Sequence, residues 1–276
     1  MPEKLIDLHI HTTASDSLIT PEEALDLAHK AGLSAVAFAD HDTMEGFYQG
    51  EKKANDLGIE LIPAVELSIS YKGGDFHLLG YLLEHQEKSF KRKIEFFRNE
   101  RLERGERMVR KLNELGINLT MDMVKRMARG GSVGRPHLAD ALLKEEIVRT
   151  YDEAFARYLG YHAPAYVPKK YLNPREGIDL IHSVKGVAVL AHPGTTKRDN
   201  HVPDLVALGL DGLEAYHSQY DASTVKYYTN LSRKFGLIYT GGSDCHGRRG
   251  EVLIGRVKVP YKCLEMLRRV KKEKFG

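Results

Sequence analysis

The sequence predicts an α/β body interrupted by a helical insertion, and three features of the chain predict it. From Lys4 to about Leu83, short apolar runs of strand length alternate with helical stretches. From about Glu84 to Ser183 that rhythm gives way to long, charged, helix-like segments with few β-branched clusters, and after Ser183 it resumes. The expected organisation is therefore one body from 1–83 and 184–276, with 84–183 as a helical insertion. The 276 residues suit one large domain carrying an insertion.

Leu5 to Ile10 reads as the first strand. Thr20 is a helix N-cap before Pro21 at the first helical position, and that helix runs to about Ala31, where Gly32 ends it. Ser34 to Ala39, Glu60 to Val65 and Phe76 to Leu82 read as further strands, and their alternation with helices implies parallel pairing. Inside the insertion, Lys91 to Lys111 carries nine basic residues against four glutamates, an excess of five. Such a segment reads either as a solvated helix face with acid–base pairs or as a guide for a polyanion. Past the insertion, Gly186 to Ala191 is a strand, Asp204 to Leu208 a helix, Gly212 to Tyr216 a strand, Thr224 to Phe235 a helix and Leu237 to Thr240 a strand. The basic tail at Arg268-Arg269 and Lys271-Lys272 reads as a solvated terminus.

Composition narrows the function by exclusion. With 42% hydrophobic and 29% charged residues the chain can bury a core, and a net charge of +3 is too small to mark a nucleic-acid coat or membrane-surface protein. No run approaches the ~18 apolar residues of a membrane span. The N-terminal segment lacks the pattern of a secretory signal, and Cys245 and Cys263 cannot build a disulfide framework, so a cytoplasmic setting is expected.

The thirteen histidines carry the signal. His9 and His11 are two apart on a strand and share a face, with Asp16 in the loop beyond. The second strand ends in Asp40-His41-Asp42, where Asp42 reads equally as a ligand or as a helix N-cap. Glu66 ends the third strand and His77 opens the fourth. His192 follows the Val187–Ala191 run, Glu214 and His217 close the next strand, and Asp244 and His246 follow the last. Burying that much uncompensated polar chemistry would cost many kcal/mol, whereas shared metal ions offset it. Nitrogen and carboxylate donors without thiolate suit manganese, iron or zinc.

The segments Asp7-Leu8-His9-Ile10-His11-Thr12, Ala39-Asp40-His41-Asp42-Thr43, Val65-Glu66-Leu67-Ser68, His77-Leu78-Leu79-Gly80-Tyr81, Ala191-His192-Pro193-Gly194 and Gly242-Ser243-Asp244-Cys245-His246-Gly247 together resemble the polymerase and histidinol phosphatase (PHP) superfamily of phosphoesterases. The resemblance implies a distorted (β/α)7 barrel with three divalent metal ions at its mouth, manganese by preference. His9, His11, Glu66 and Asp244 would hold the first, Glu66, His77 and His192 the second, and Asp16, His41 and His246 the third. Asp40 and Glu214 would orient ligands from behind.

The insertion, with Gly130-Gly131-Ser132-Val133-Gly134-Arg135-Pro136-His137, resembles the stand-alone branch that hydrolyses nucleoside 3',5'-bisphosphates and trims short RNA from the 5' end. On that reading Arg135, with Ser132 and His137, grips a 5'-phosphate through a planar guanidinium fork, while metal-activated water attacks the 3'-phosphate. Asp244 would orient the water and His217 would protonate the leaving oxygen. The bland alternative for Arg135 is a surface ion pair at a helix start. The partners implied are a small phosphorylated nucleotide and short single-stranded RNA, with no membrane. Rival functions are a phosphatase or cyclic phosphodiesterase of another metabolite, an amidohydrolase, and a non-catalytic metal-binding module. Oligomeric state leaves no trace in the sequence.

Overall fold

The computed structural model describes residues 4–72, 74–169, 172–196, 199–248 and 250–276. The first half of the barrel is β1 (Leu5–Ile10), α1 (Pro21–Lys30), β2 (Leu33–Phe38), α2 (Glu45–Leu57), β3 (Glu60–Ile62), β4 (Ala64–Tyr71) and β5 (Gly74–Tyr81). Helices α3 (Lys88–Glu114), α4 (Met121–Ala128), α5 (Arg135–Lys144), α6 (Tyr151–Ala154) and α7 (Pro174–Ser183) follow, with a π-helical turn at Phe155–Leu159 after α6. The chain closes with β6 (Val187–Leu190), α8 (Pro193–Thr196), α9 (Val202–Ala207), β7 (Gly212–Tyr216), α10 (Ala222–Lys234), β8 (Ile238–Gly241), β9 (Val259–Pro260) and α11 (Lys262–Phe275).

The α1 start forms as its sequence predicts. Thr20 Oγ1 accepts from the Glu23 amide and Glu23 Oε2 accepts from the Thr20 amide, a reciprocal cap over Pro21.

The strands form two sheets, ordered β3-β2-β1-β9 and β4-β5-β6-β7-β8. Two seams join them at one end. Asp42 N donates to Glu66 O at 3.0 Å and Glu66 N to Asp40 O at 3.2 Å, linking the end of β2 to β4. His11 N donates to Cys245 O at 3.1 Å and Asp244 N to His9 O at 2.8 Å, linking β1 to the segment after β8. The second seam is tight: a Cβ on Gly242 would lie 2.3 Å from the His9 amide nitrogen, which only glycine avoids. The result is a seven-stranded ring of β1, β2, β4, β5, β6, β7 and β8, with β3 and β9 pairing only at the edges of the first sheet.

Three expectations change. The predicted run Glu60–Val65 is two strands in different sheets, because Pro63 lacks the amide that a continuous ladder needs. Pairing is not wholly parallel, since β5 runs antiparallel to both β4 and β6. This reversal places the start of β5, rather than its end, at the site, which is why His77 lies early in its strand. The tail is part of a packed helix: α11 buries Cys263, Leu264 and Leu267 in a cluster shared with Ile6, Leu8, Val187 and Val189 of both sheets. Of its basic residues, Arg268, Arg269 and Lys272 are exposed, as a solvated tail requires, with Arg268 also paired to Glu60, while Lys271 donates to the Leu82 carbonyl.

Between β5 and β6 the helices have an apolar cluster of their own, built on Met108, Leu112, Leu138, Leu142 and Leu159. Helix α7 belongs by packing to the sheets, with Ile178 and Ile181 set among Val65, Leu78 and Leu190. No helix among the described residues is long and apolar enough to cross a membrane.

Because Leu264 is fully buried, Leu264→Ala is expected to cost about 2–5 kcal/mol in urea unfolding. A solvated tail would give under about 0.5 kcal/mol.

Candidate metal centre

Each strand of the ring delivers a polar side chain to the seamed end. His9 on β1 and His11 just beyond share a face, and their Nε2 atoms lie 3.2 Å apart. Glu66 from β4 sits at the centre, its side chain 1% exposed. Its Oε2 lies 3.2 Å from His11 Nε2, 3.5 Å from His9 Nε2 and 2.9 Å from His41 Nδ1. Its Oε1 lies 2.9 Å from His77 Nδ1 and 3.0 Å from His192 Nε2. Asp244 Oδ1 completes the floor at 3.1 Å from His11 Nε2 and 3.5 Å from His9 Nε2. To one side, Asp16 Oδ1 is 3.2 Å from His246 Nε2 and Asp16 Oδ2 is 3.8 Å from His41 Nε2.

Among the described residues, three groups of donor atoms are compact enough to hold a divalent ion: His9, His11 and Asp244; His41, Glu66 and His77; and His11, Asp16, His41 and His246. Eight of the nine residues expected as ligands fall in these groups; the second group has His41 where His192 was expected, and His192 joins the cluster through Glu66 Oε1, while His41 faces Glu66 through one nitrogen and Asp16 through the other. The groups fit a cation on hydrogen-bonding grounds. Asp16 Oδ1, His41 Nδ1, Glu66 Oε2 and His77 Nδ1 are buried and lack a hydrogen-bond partner. The 2.9 Å approaches to Glu66 do not meet hydrogen-bond geometry, as expected of lone pairs aimed at a common ion.

Protonation divides the cluster. Burial alone would lower every imidazole and raise every carboxyl. Burial opposes the His11 proton, but the Asp244 and Glu66 carboxylates beside it outweigh burial and lift His11 to about 10. His9 also rises well above its usual value, against burial, through Glu214 and Glu66. Burial prevails at His41, pushed down to about 3, and lowers His77 as well. Glu66, Asp16 and Asp244 resist burial and stay well below the carboxylate range because imidazoles surround them.

Behind the donors stands a second layer of bonds. Glu214 Oε1 meets His9 Nδ1 at 2.9 Å and Glu214 Oε2 accepts from the His192 amide at 2.8 Å, orienting one ring and one loop together. Asp40 accepts from Thr12 N and Oγ1 at 2.8 Å and from Ser15 Oγ at 2.5 Å, and Ser15 Oγ is 3.4 Å from His11 Nδ1. His217 is buried behind Asp244: its Nδ1 accepts from Gln219 N, which leaves the proton on Nε2, 3.3 Å from Asp244 Oδ2.

A cleft of about 270 Å³ opens beside the cluster, and its lining includes His41, His77 and His192 together with Arg135, Arg101, Arg104, Lys169 and Asp75. Arg135 opens α5 and is framed by Phe155, Tyr161 and Tyr166 at 5.0–5.7 Å. The other two residues of its motif are not brought to the cleft lining. His137 Nδ1 accepts from Gly134 N and thereby caps α5, and Ser132 is buried with its amide on the Ala14 carbonyl.

Asp42 does not cap α2, which starts after Met44 with no side-chain cap. Its carboxylate accepts from Arg101 Nε at 2.5 Å and from Ser68 N at 3.0 Å. The cleft side chains Arg101, Arg104 and Lys169 were not singled out in the sequence as site residues. Arg101 and Arg104 lie three apart in the basic run and so share a helix face, a signal the run's many other charges hide; Lys169 offers none.

A PHP domain family model matches residues 7–165, and the chain belongs to that family. It is 30% identical to a 5'-3' exoribonuclease of Haemophilus influenzae, over 92% of this chain and 94% of the relative. It is 28% identical to a 3',5'-nucleoside bisphosphate phosphatase of Chromobacterium violaceum, over 87% of each chain. A solved structure described as a metal-dependent phosphoesterase, from Bifidobacterium adolescentis, superposes with a TM-score of 0.87 at 29% identity over 96% of both chains. The protein is thus an enzyme of the PHP phosphoesterase class, with an α/β fold shared with the solved phosphoesterase.

Asp42 is buried and its carboxyl, despite burial, is held below its usual value by Arg101. Arg101→Ala is expected to cost about 3 kcal/mol at neutral pH. A depressed folded pKa contributes stability above the unfolded value that is lost as pH falls through the folded one, so the gap between wild type and variant should narrow in acid. Chemical unfolding at several pH values measures this; a gap that widens in acid would contradict the pairing.

Proposed function

We propose that this enzyme hydrolyses the 3'-phosphate of nucleoside 3',5'-bisphosphates and trims short 5'-phosphorylated RNA stepwise from the 5' end. The observation that carries the reading is one cleft whose lining holds both clustered metal-ligand candidates, Asp16, His41, His77 and His192, and three arginines, Arg101, Arg104 and Arg135. Relatives named for bisphosphate hydrolysis and for 5'-3' RNA degradation support it.

His9, His11, Glu66 and Asp244 would hold one ion, Glu66, His77 and His192 a second, and Asp16, His41 and His246 a third. Manganese suits this nitrogen and oxygen donor set, as iron or zinc does. Divalent ions so held would polarise the phosphoryl oxygens and lower the pKa of water. Arg135, framed by its three rings, offers the planar fork that a terminal 5'-phosphate needs, and Arg101 and Arg104 add positive charge to the same lining, while burial and these arginines push the Lys169 ammonium well below its usual pKa. Holding the 5'-phosphate there fixes where the 3'-phosphorus lies, so binding energy from one end of the substrate serves positioning at the other. Asp244, steadied by His217, faces the reacting end. Because His217 is buried behind Asp244, we assign it to orienting that carboxylate rather than to direct protonation of the leaving oxygen. The helices between β5 and β6 act on this reading as a cap that supplies the cations.

The test is phosphate release from adenosine 3',5'-bisphosphate beside the 3'- and 5'-monophosphates in manganese buffer. The bisphosphate should be strongly preferred. Arg135→Ala should lower kcat/KM on it by about 10–100-fold, the worth of a charge-assisted contact, while sparing a generic aryl phosphate. Equal losses on both would remove the anchoring role, and release from other phosphoesters but not the bisphosphate would assign another substrate. Chelation should abolish turnover and manganese should restore it; activity surviving exhaustive chelation would overturn the metal requirement.

A further inference from the structure

The loop after β1 carries Asp16, yet much of what holds that loop comes from elsewhere. Arg248, two residues past His246, donates from Nε and Nη2 to the Asp16 carbonyl at 3.0 and 2.8 Å. Its Nη1 donates to both carboxylate oxygens of Asp140 on α5, at 2.6 and 2.8 Å. The guanidinium also lies 5.2 Å over the Tyr151 ring of α6. Both partners are shielded, Arg248 at 13% and Asp140 at 19% side-chain exposure, so the pair is less screened than a surface salt bridge.

A second tie grips the same loop. Ser132 N donates to the Ala14 carbonyl at 2.8 Å, and a Cβ on Gly131 would fall 2.3 Å from the Thr13 carbonyl. The helical segment between β5 and β6 therefore reaches the Asp16 loop directly at 131–132 and, from Asp140, through Arg248. Arg248 takes the Asp16 backbone rather than its carboxylate, whose Oδ1 faces His246 Nε2 at 3.2 Å.

We propose that Arg248 and Asp140 are a positioning pair through which this helical segment holds the Asp16–His41–His246 group in ligating geometry. The inference rests on the metal-binding part of the proposed function. One guanidinium fastens the loops after β1 and β8, which carry Asp16 and His246, and anchors both to α5. Lysine cannot replace it, because a single ammonium lacks the fork that reaches two loops at once. By linkage, displacing the cap weakens this group's hold on its ion, and filling the group stiffens the cap's seat.

The test uses the full chain with Asp140→Ala, Asp140→Asn, Asp140→Glu and Arg248→Lys. Arg268→Ala, which breaks a pair with Glu60 away from the cleft, is the control. Two readouts are taken: manganese titration of the apoprotein, and hydrogen exchange of residues 12–18 without metal. Asp140→Ala and Arg248→Lys should weaken one class of manganese sites about tenfold, as loss of a ligand's supporting partner does, and should speed exchange in 12–18. Asp140→Glu should recover part of both. If Asp140→Ala does not fold, Asp140→Asn supplies the same comparison. Unchanged titration and exchange, or equal changes in Arg268→Ala, would overturn the proposal. A wild type that binds no manganese would sink the metal reading, while the exchange arm would still decide whether the pair holds the loop.

Discussion

Glu66 is a carboxylate with almost no exposure, within 2.9–3.5 Å of five imidazoles. A buried ion needs compensating charge, and fixed protein groups supply it only in part, since four donor atoms of the cluster have no hydrogen-bond partner. The same residues close the barrel. The backbone of Glu66 pairs with Asp40 and Asp42, and the backbone of His9 and His11 pairs with Asp244 and Cys245. Joining the two sheets and assembling the cluster are therefore one structural event.

Much of this was legible because it is local. A period of two puts His9 and His11 on one face wherever the strand goes, and polar residues ending apolar runs mark the end of the sheet where strands converge. That convergence gathers the candidates, but separating the nine expected ligands from Asp40, Asp42, Glu214 and His217 at the same strand ends rests on the family resemblance. What escaped depends on partners distant in sequence. Nothing local to Phe76–Tyr81 says that β5 runs against its neighbours, since that follows from its pairing with β4 and β6. Asp42 has the look of a helix cap until Arg101, 59 residues on, takes its carboxylate. In the tail, counting charges hid the apolar triplet Cys263, Leu264 and Leu267, whose spacing of one and three is that of a helix face. Within the 130–137 motif Arg135 and Pro136 reach the cleft; His137 and Ser132 serve the loop that presents them.

The molecule divides its labour between its parts. The barrel contributes the donor atoms, and the helices between β5 and β6 contribute Arg101, Arg104 and Arg135 to the lining of the cleft beside them. Such a division permits one chemistry with different substrates, since the cations and rings can vary while the cluster stays as it is. Relatives of differing named activity at similar identity agree with that.

The central claim is that the convergent strand ends form a centre for several metal ions. Anomalous diffraction at the manganese edge, from crystals of the manganese-loaded protein, tests it most directly. The account predicts peaks bounded by His9, His11 and Asp244, by Glu66, His77 and His192, and by Asp16, His41 and His246. An empty cluster, or manganese bound only on the outer surface, would contradict it.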